Sequence, residues 1–269
     1  MGAEKLIQLE TGIDGVSLTH AYSIRNKFPT HFHTTGTLGV VESGESSFRY
    51  RGKREVLRPG DLFFVQPFEP HSCQPCQEGD YSYKVISFPT RTQWYCPHFV
   101  LEDEELKAMV DRFHALVEFT HESGEKYTLF NRILELMDAC MIPAPPVEKT
   151  DHIELFEKAR QYIVEHCMES LDLKAIAEIA CLSEFHFSRR FYQLFGLSPY
   201  AYYLVCKMKR AEKLLRENRS ITATAFDLDF FDQSHFSRMF KKYMGVNPGK
   251  YLRERSKLTS PFDDKLRRQ

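Results

Sequence analysis

Two stretches of this chain are nearly the same: LSEFHFSRRFYQLFGLSP, residues 182–199, and FDQSHFSRMFKKYMGVNP, residues 231–248. His186 and His235, Phe187 and Phe236, Ser188 and Ser237, Arg189 and Arg238, Phe191 and Phe240, Gly196 and Gly245, and Pro199 and Pro248 coincide at an offset of 49 residues. An internal repeat of this size is one supersecondary unit used twice. The C-terminal part of the chain must therefore fold as two copies of one small module.

Each copy reads as a helix. Ser183 and Asp232 occupy corresponding N-cap positions. Phe187, Phe191 and Leu194, like Phe236, Phe240 and Tyr243, fall at i, i+4 and i+7 and form a buried stripe. Gly196 and Gly245 suit the left-handed C-terminal position, and the prolines three residues later stop the helix or start the next. At about 100° per residue, Arg189 and Arg238 lie nearly opposite those stripes. Phe185, Tyr192 and Gln193 flank Arg189; Ser234, Lys241 and Lys242 flank Arg238. A shorter amphipathic segment precedes each helix, LDLKAIAEIAC in the first copy and SITATAFDLDF in the second, with Cys181 and Asp229 at the tight turn. The pattern predicts two helix-turn-helix units bridged by YAYYLVCKMKRAEKLLREN. An aromatic-anchored helix that turns cations and hydrogen-bonding groups outward can enter a major groove.

Charge supports that reading. Lys and Arg number 36 and Asp and Glu 37 in the whole chain, but the two halves differ. Residues 1–150 carry 15 basic against 21 acidic groups, net −6, and residues 151–269 carry 21 against 16, net +5. A basic half on a nearly neutral chain points to a polyanionic partner. The seven cysteines follow no disulfide spacing and read as reduced thiols. MGAEKLIQLE lacks the apolar core of a signal peptide, and no apolar run reaches membrane-spanning length. The expectation is a cytoplasmic protein with no membrane partner.

Residues 151–255 resemble the DNA-binding domain of the AraC/XylS family of bacterial transcription regulators, most specifically through DQSHFSRMFKKYMGVNPGKYL. The resemblance implies that helices starting near Glu184 and Gln233 enter successive major grooves of double-stranded DNA. It points to Phe185, Ser188 and Arg189 in the first, and to Gln233, Ser234, Ser237 and Arg238 in the second. The helical phase adds Gln193, Lys241 and Lys242. One departure is Asp229, where the family usually has Gly; Asp tolerates left-handed dihedrals better than most residues.

The N-terminal half is of another kind. Between Thr30 and Phe88, short strands alternate with Gly and Pro turns, the pattern of a sandwich or barrel. Two amphipathic helices follow, in LEDEELKAMVDRFHALVEFT and KYTLFNRILELMDACMI, able to pack on the barrel or on a second copy of the chain. PAPPVEKT is a candidate linker. Residues 25–90 resemble the cupin-type sensor domain of AraC-family members, which implies a small-molecule effector and a homodimer. Phe48, Tyr50, Phe64, Gln66 and Tyr83 are candidate lining residues. His31, His33 and His71 match the histidines that cupin enzymes place on a metal, but Thr37 and Leu38 stand where those enzymes have a glutamate. The expectation is therefore lining or hydrogen-bonding histidines with no metal or other cofactor. Cys73, Cys76, Cys96 and His98 form only a single C-x-x-C with outliers, so unpaired thiols are preferred to zinc or a redox switch.

The overall expectation is an α+β chain. A cupin-like barrel occupies 1–100, a helical dimerisation or packing segment 101–142, a linker 143–150, a DNA-binding domain 151–255 and a tail 256–269. The function expected is an effector-modulated transcriptional regulator without enzymatic activity, with RNA polymerase as a further partner. The rival reading is a metal-dependent cupin enzyme with a helical appendage.

Overall fold

The computed structural model describes residues 4–76, 79–90, 94–120, 123–143 and 153–258. Strands β1 (Lys5–Glu10), β2 (Ser17–Ile24), β4 (Gly36–Ser43), β7 (Leu62–Val65), β9 (Tyr81–Phe88) and β11 (Val100–Leu101) form a six-stranded sheet in the order β1-β2-β9-β4-β7-β11. Strands β3 (Phe28–His31), β5 (Ser46–Tyr50), β6 (Lys53–Leu57) and β8 (His71–Pro75) form a second sheet in the order β3-β8-β5-β6. All these pairs are antiparallel. The two sheets enclose a cavity.

Helices α1 (Glu104–Phe119) and α2 (Ser123–Ala139) cover the outer face of the six-stranded sheet. Asp103 caps α1, its carboxylate accepting from the Leu106 amide at 2.8 Å. Leu106, Val110, Phe113, Phe130 and Ile133 pack there against Leu18, Leu38, Leu62, Phe64, Ile86 and Phe88. Strand β7 is thus buried on both faces, with Phe63 and Val65 inward and Leu62 and Phe64 outward. The expected segment boundaries shift slightly. Leu101 belongs to the barrel sheet, and β12 (Ile142–Pro143) pairs with β10 (Trp94–Tyr95), so Pro143 is sheet rather than linker. Residues 144–150 of the expected linker lie outside the described residues.

The C-terminal half is helical: α3 (Ile153–Glu165), α4 (Leu173–Ile179), α5 (Glu184–Phe195), α6 (Pro199–Arg216), α7 (Ile221–Asp227), α8 (Gln233–Met244) and α9 (Pro248–Leu258). The last extends past the expected domain end at 255, and residues 259–269 lie outside the described residues. Pairs α4–α5 and α7–α8 are the repeated units. Ser183 and Asp232 cap the second helix of each, accepting from the His186 and His235 amides at 3.5 and 2.6 Å. The turn residues Cys181 (φ 55°) and Asp229 (φ 51°) are both left-handed. Asp229 is held there by Ser170, whose hydroxyl donates to its carboxylate at 2.5 Å.

The two halves share a core. Phe28, Tyr81 and Val85 of the barrel belong to the same apolar cluster as Met208, Ala211, Phe236, Phe240 and Tyr251. Phe32 leaves the barrel to stack on Tyr202 of α6, ring centroids 4.7 Å apart, inside the core of the first unit. Gly196 and Gly245, with φ of 68° and 80°, end α5 and α8 against barrel residues. A Cβ added to them would sit 2.8 Å from Pro70 Cγ and 2.9 Å from Phe28 Cζ.

Candidate effector cavity and nucleic-acid face

The cavity has a volume of about 530 Å³. That falls within the roughly 300–1,000 Å³ typical of small-ligand pockets. Its walls are Phe28, Phe48, Phe63, Val65, Tyr81, Tyr83 and Val85 from the barrel, with His31, His33 and His71 also lining it. Met208, Lys209, Glu212, Lys213 and Arg216 of α6, with Tyr243, Met244 and Tyr251, complete the lining. No sequence signal pointed to this second group, because the periodicity of α6 marks only which residues are buried, not that part of its surface closes another domain's barrel.

The expected lining residues divide by strand phase. Tyr83 faces the cavity, as do the three histidines. Phe64 does not: it lies on the opposite face, 6.2 Å from Phe88 under α1 and α2. Tyr50 is not among the cavity-lining residues; its ring packs on Phe99, 4.8 Å away. Gln66 points to the loop after β10, its Oε1 accepting from Arg51 at 3.0 Å and from the Cys96 amide at 2.7 Å. Phe48, also expected, lines the cavity, and Phe63 takes a place that Phe64 was expected to fill.

The three histidines meet. His31 and His71 face each other across β3 and β8, ring centroids 4.4 Å apart, with His33 at 5.0 Å from both. The Nδ1–H of His31 donates to Pro29 O at 2.8 Å and that of His71 to Glu69 O at 2.9 Å. Burial pushes His31 down to about 4. Burial and the neighbouring imidazoles hold His33 and His71 well below the usual range, so all three are neutral at pH 7. Burial also lowers the Lys209 ammonium. It lies 5.6 Å from the Phe32 ring centroid, and the Glu212 carboxylate partly offsets the effect of its burial. Burial raises the Cys73 thiol to about 12, which keeps it protonated and a poor redox or metal group.

At the opposite end of α6 from the first unit, Arg216 joins the two halves. It donates to Tyr251 Oη, Gln8 Oε1 and Glu212 Oε1, each at 3.0 Å, and lies 3.6 Å from Glu10. Asn26 adds a bond from the barrel to the Lys242 carbonyl at 3.2 Å.

The outward faces of α5 and α8 follow the helical phase. Phe187, Phe191, Phe236 and Phe240 are buried, while Phe185, Arg189, Gln193, Gln233, Ser234, Arg238, Lys241 and Lys242 are exposed; Ser188 and Ser237 are half-buried. Phe185 is 72% exposed on this face. Gln233 accepts from Thr222 at 2.7 Å and Gln193 from Arg190 at 3.2 Å, which orients both amides. Arg189 and Arg238 form no ion pair among the described residues, so their guanidinium groups are available to an incoming anion or base edge.

Comparisons with known proteins match both halves of the chain. Residues 15–134 match a family model described as an AraC-like ligand binding domain, and residues 176–254 match one described as a helix-turn-helix domain. The chain is 27% identical over 230 residues to an uncharacterized HTH-type transcriptional regulator, YbfI, of Bacillus subtilis, covering 79% of this chain and 82% of that one. It is 24% identical over 231 residues to the arabinose operon regulatory protein of Escherichia coli, covering 80% and 79%. In fold it is similar to ToxT of Vibrio cholerae, with a TM-score of 0.55, 12% identity, and 90% and 98% of the two chains covered. Another ToxT structure, bound to an unsaturated fatty acid, matches with a TM-score of 0.52, 12% identity, and 94% and 97% covered. No described helix is long and apolar enough to cross a membrane.

Proposed function

Because the chain is an AraC-family transcriptional regulator with an N-terminal ligand-binding domain, we propose that a small molecule in the barrel cavity controls how the two recognition helices are presented to DNA. The observation that carries this reading is that α6, the helix joining the two DNA-binding units, also supplies part of the cavity wall. A ligand there touches both halves at once, and a ligand shifts a conformational equilibrium only through contacts that differ between its states. The ToxT structure with a bound fatty acid supports a small-molecule occupant in this fold.

Arg189 and Arg238 read base edges in this proposal, and Lys241 and Lys242 hold phosphates. Phe119 and Tyr127 are exposed on α1 and α2, and a homodimer formed through those helices would place two such readers on one operator. The working compartment is the cytoplasm, with RNA polymerase as the downstream partner. The matched relatives are transcriptional regulators, which favours this reading over a cupin enzyme.

The test is selection of the full-length protein on random duplexes at about physiological salt, followed by sequencing. The expected result is a motif of two half-elements about one helical turn apart. Binding that tracks only salt, with no enriched motif, overturns it.

A further inference from the structure

The four-stranded sheet carries a second hollow, apart from the effector cavity. Its volume is about 220 Å³, and it is lined by Thr30 of β3, Ser47 and Arg49 of β5, Arg54 of β6, and Ser72 and Gln74 of β8. Residues two apart on a strand share a face. Phe48, between Ser47 and Arg49, lines the effector cavity, so Ser47 and Arg49 belong to the outer face. Strand register groups the polar side chains there. Arg49 stands opposite Arg54 on one side and Ser72 on the other, and Ser47 stands opposite Gln74. All of these side chains can donate hydrogen bonds. No carboxylate is among the described residues that line the hollow.

Two needs of this face are unmet by the protein itself. The first is charge. Like charges directly opposite each other on neighbouring strands are destabilising, and neither Arg49 nor Arg54 forms an ion pair among the described residues. Glu55, beside Arg54, stands opposite Phe48 and so belongs to the other face. Arg51, the third arginine of this hairpin, is engaged elsewhere, by Glu69, Gln66 and the Cys96 carbonyl. The second need is an acceptor. Ser47 is only 5% exposed, and its hydroxyl oxygen accepts from Arg54 Nε at 2.8 Å. That bond orients the guanidinium and leaves the Ser47 hydrogen to donate, with no acceptor for it among the described residues. A buried donor left unpaired is costly. A phosphoryl group meets both needs, with about −1.5 to −2 charges at pH 7 and three strong acceptor oxygens. Arginine forks match its geometry. A carboxylate, with one charge, would leave one of the two guanidinium charges unbalanced.

We propose that Arg49 and Arg54, with Ser47, Ser72 and Gln74 around them, bind a phosphoryl dianion, carried either by free phosphate or by a small phosphomonoester. Its oxygens accept from the two guanidinium groups and from the Ser47 hydroxyl. Arg49 and Arg54 are exposed, so the side of the group away from the sheet opens to solvent and a substituent can leave the site there. The inference goes beyond the effector cavity and the DNA-reading helices and rests on neither.

The experiment titrates the full-length protein with inorganic phosphate, and separately with glycerol phosphate, by isothermal calorimetry in a phosphate-free buffer. Sodium chloride serves as the ionic-strength control. The wild type should bind phosphate saturably at a single site, and chloride should give no such isotherm. Tighter binding of glycerol phosphate identifies a phosphomonoester as the occupant, and the reverse identifies free phosphate. Arg49→Gln, Arg54→Gln and Ser47→Ala should each weaken binding by about tenfold. Arg54→Lys, which keeps the charge without the fork, should restore only part of the Arg54→Gln loss. The arginine variants should melt and select the operator as the wild type does, which separates loss of the site from loss of the fold. No saturable isotherm on the wild type with either phosphate overturns the site, as does binding undiminished in both Arg49→Gln and Arg54→Gln. An isotherm that chloride reproduces overturns it as well. Each of these failures leaves the operator selection untouched, so the two readings fall separately.

Discussion

At the scale of single residues, the outward face of α8 divides by chemistry. Arg238 carries a planar fork suited to a guanine edge, whereas Lys241 is a point charge suited to a phosphate. Arg238→Ala should cost about 1–3 kcal/mol on the preferred operator and relax the preference at one base pair. Lys241→Ala should weaken every duplex alike and lower the slope of affinity against salt by about one. Anisotropy titrations on matched and mismatched duplexes at two salt concentrations separate the two. His114 makes a different prediction. Burial on the inward face of α1 holds it down to about 3, and its Nε2 has no partner among the described residues. The unfolded chain protonates this imidazole below about pH 6.5 while the folded chain does not. Its contribution to stability is therefore complete above that pH and falls steadily as pH drops toward 3, by up to about 1.4 kcal/mol per pH unit. Urea midpoints at pH 7.5, 6 and 5 should fall less steeply for His114→Leu than for the wild type. Residue-level legibility was uneven for a plain reason. The recognition helices could be phased because their outer faces are polar. In Leu-Phe-Phe-Val both faces of the strand are buried, so nothing in the run of apolar residues tells Phe63 from Phe64.

At the scale of elements, the repeat was fully legible because each copy carries its own start, stripe and stop. Its departure from the family pattern, Asp229, adopts the left-handed turn its side chain allows, as does Cys181 at the equivalent place. The role of β3 and the residues just beyond it was not legible. The H-x-H spacing puts His31 and His33 on one side, and the alternation that does so sends Phe32 the other way, out of the barrel and onto Tyr202. Phe32 is 3% exposed, so truncating it opens a cavity at the contact between the halves. Phe32→Ala should cost about 3–5 kcal/mol. Calorimetry should show the wild-type transition replaced by two when that contact is lost, one for the barrel and one for the helices. A single transition that only shifts downward would mean that the remaining shared core is enough to couple them.

At the scale of the whole molecule, an acidic sensor and a basic reader are distinguishable by charge alone, but their docking is not. It rests on groups scattered across the sequence: Gln8 and Glu10 on Arg216, Asn26 on Lys242, Phe28 on Gly245 and Pro70 on Gly196. Each of these residues is ordinary in its own segment, and only the assembled fold gives it a partner. The last two contacts have a geometric consequence. Phe28 begins β3 and Pro70 immediately precedes β8, and these strands pair with each other, Phe28 opposite Cys73 and His31 opposite His71. The ends of both recognition helices thus stand on opposite ends of one two-stranded ribbon, with the histidine triad near its Pro70 end. The ribbon is a ruler laid between two reading heads. Both recognition helices therefore end on one element of the barrel, and any change in how that ribbon sits is felt at the two helix ends together.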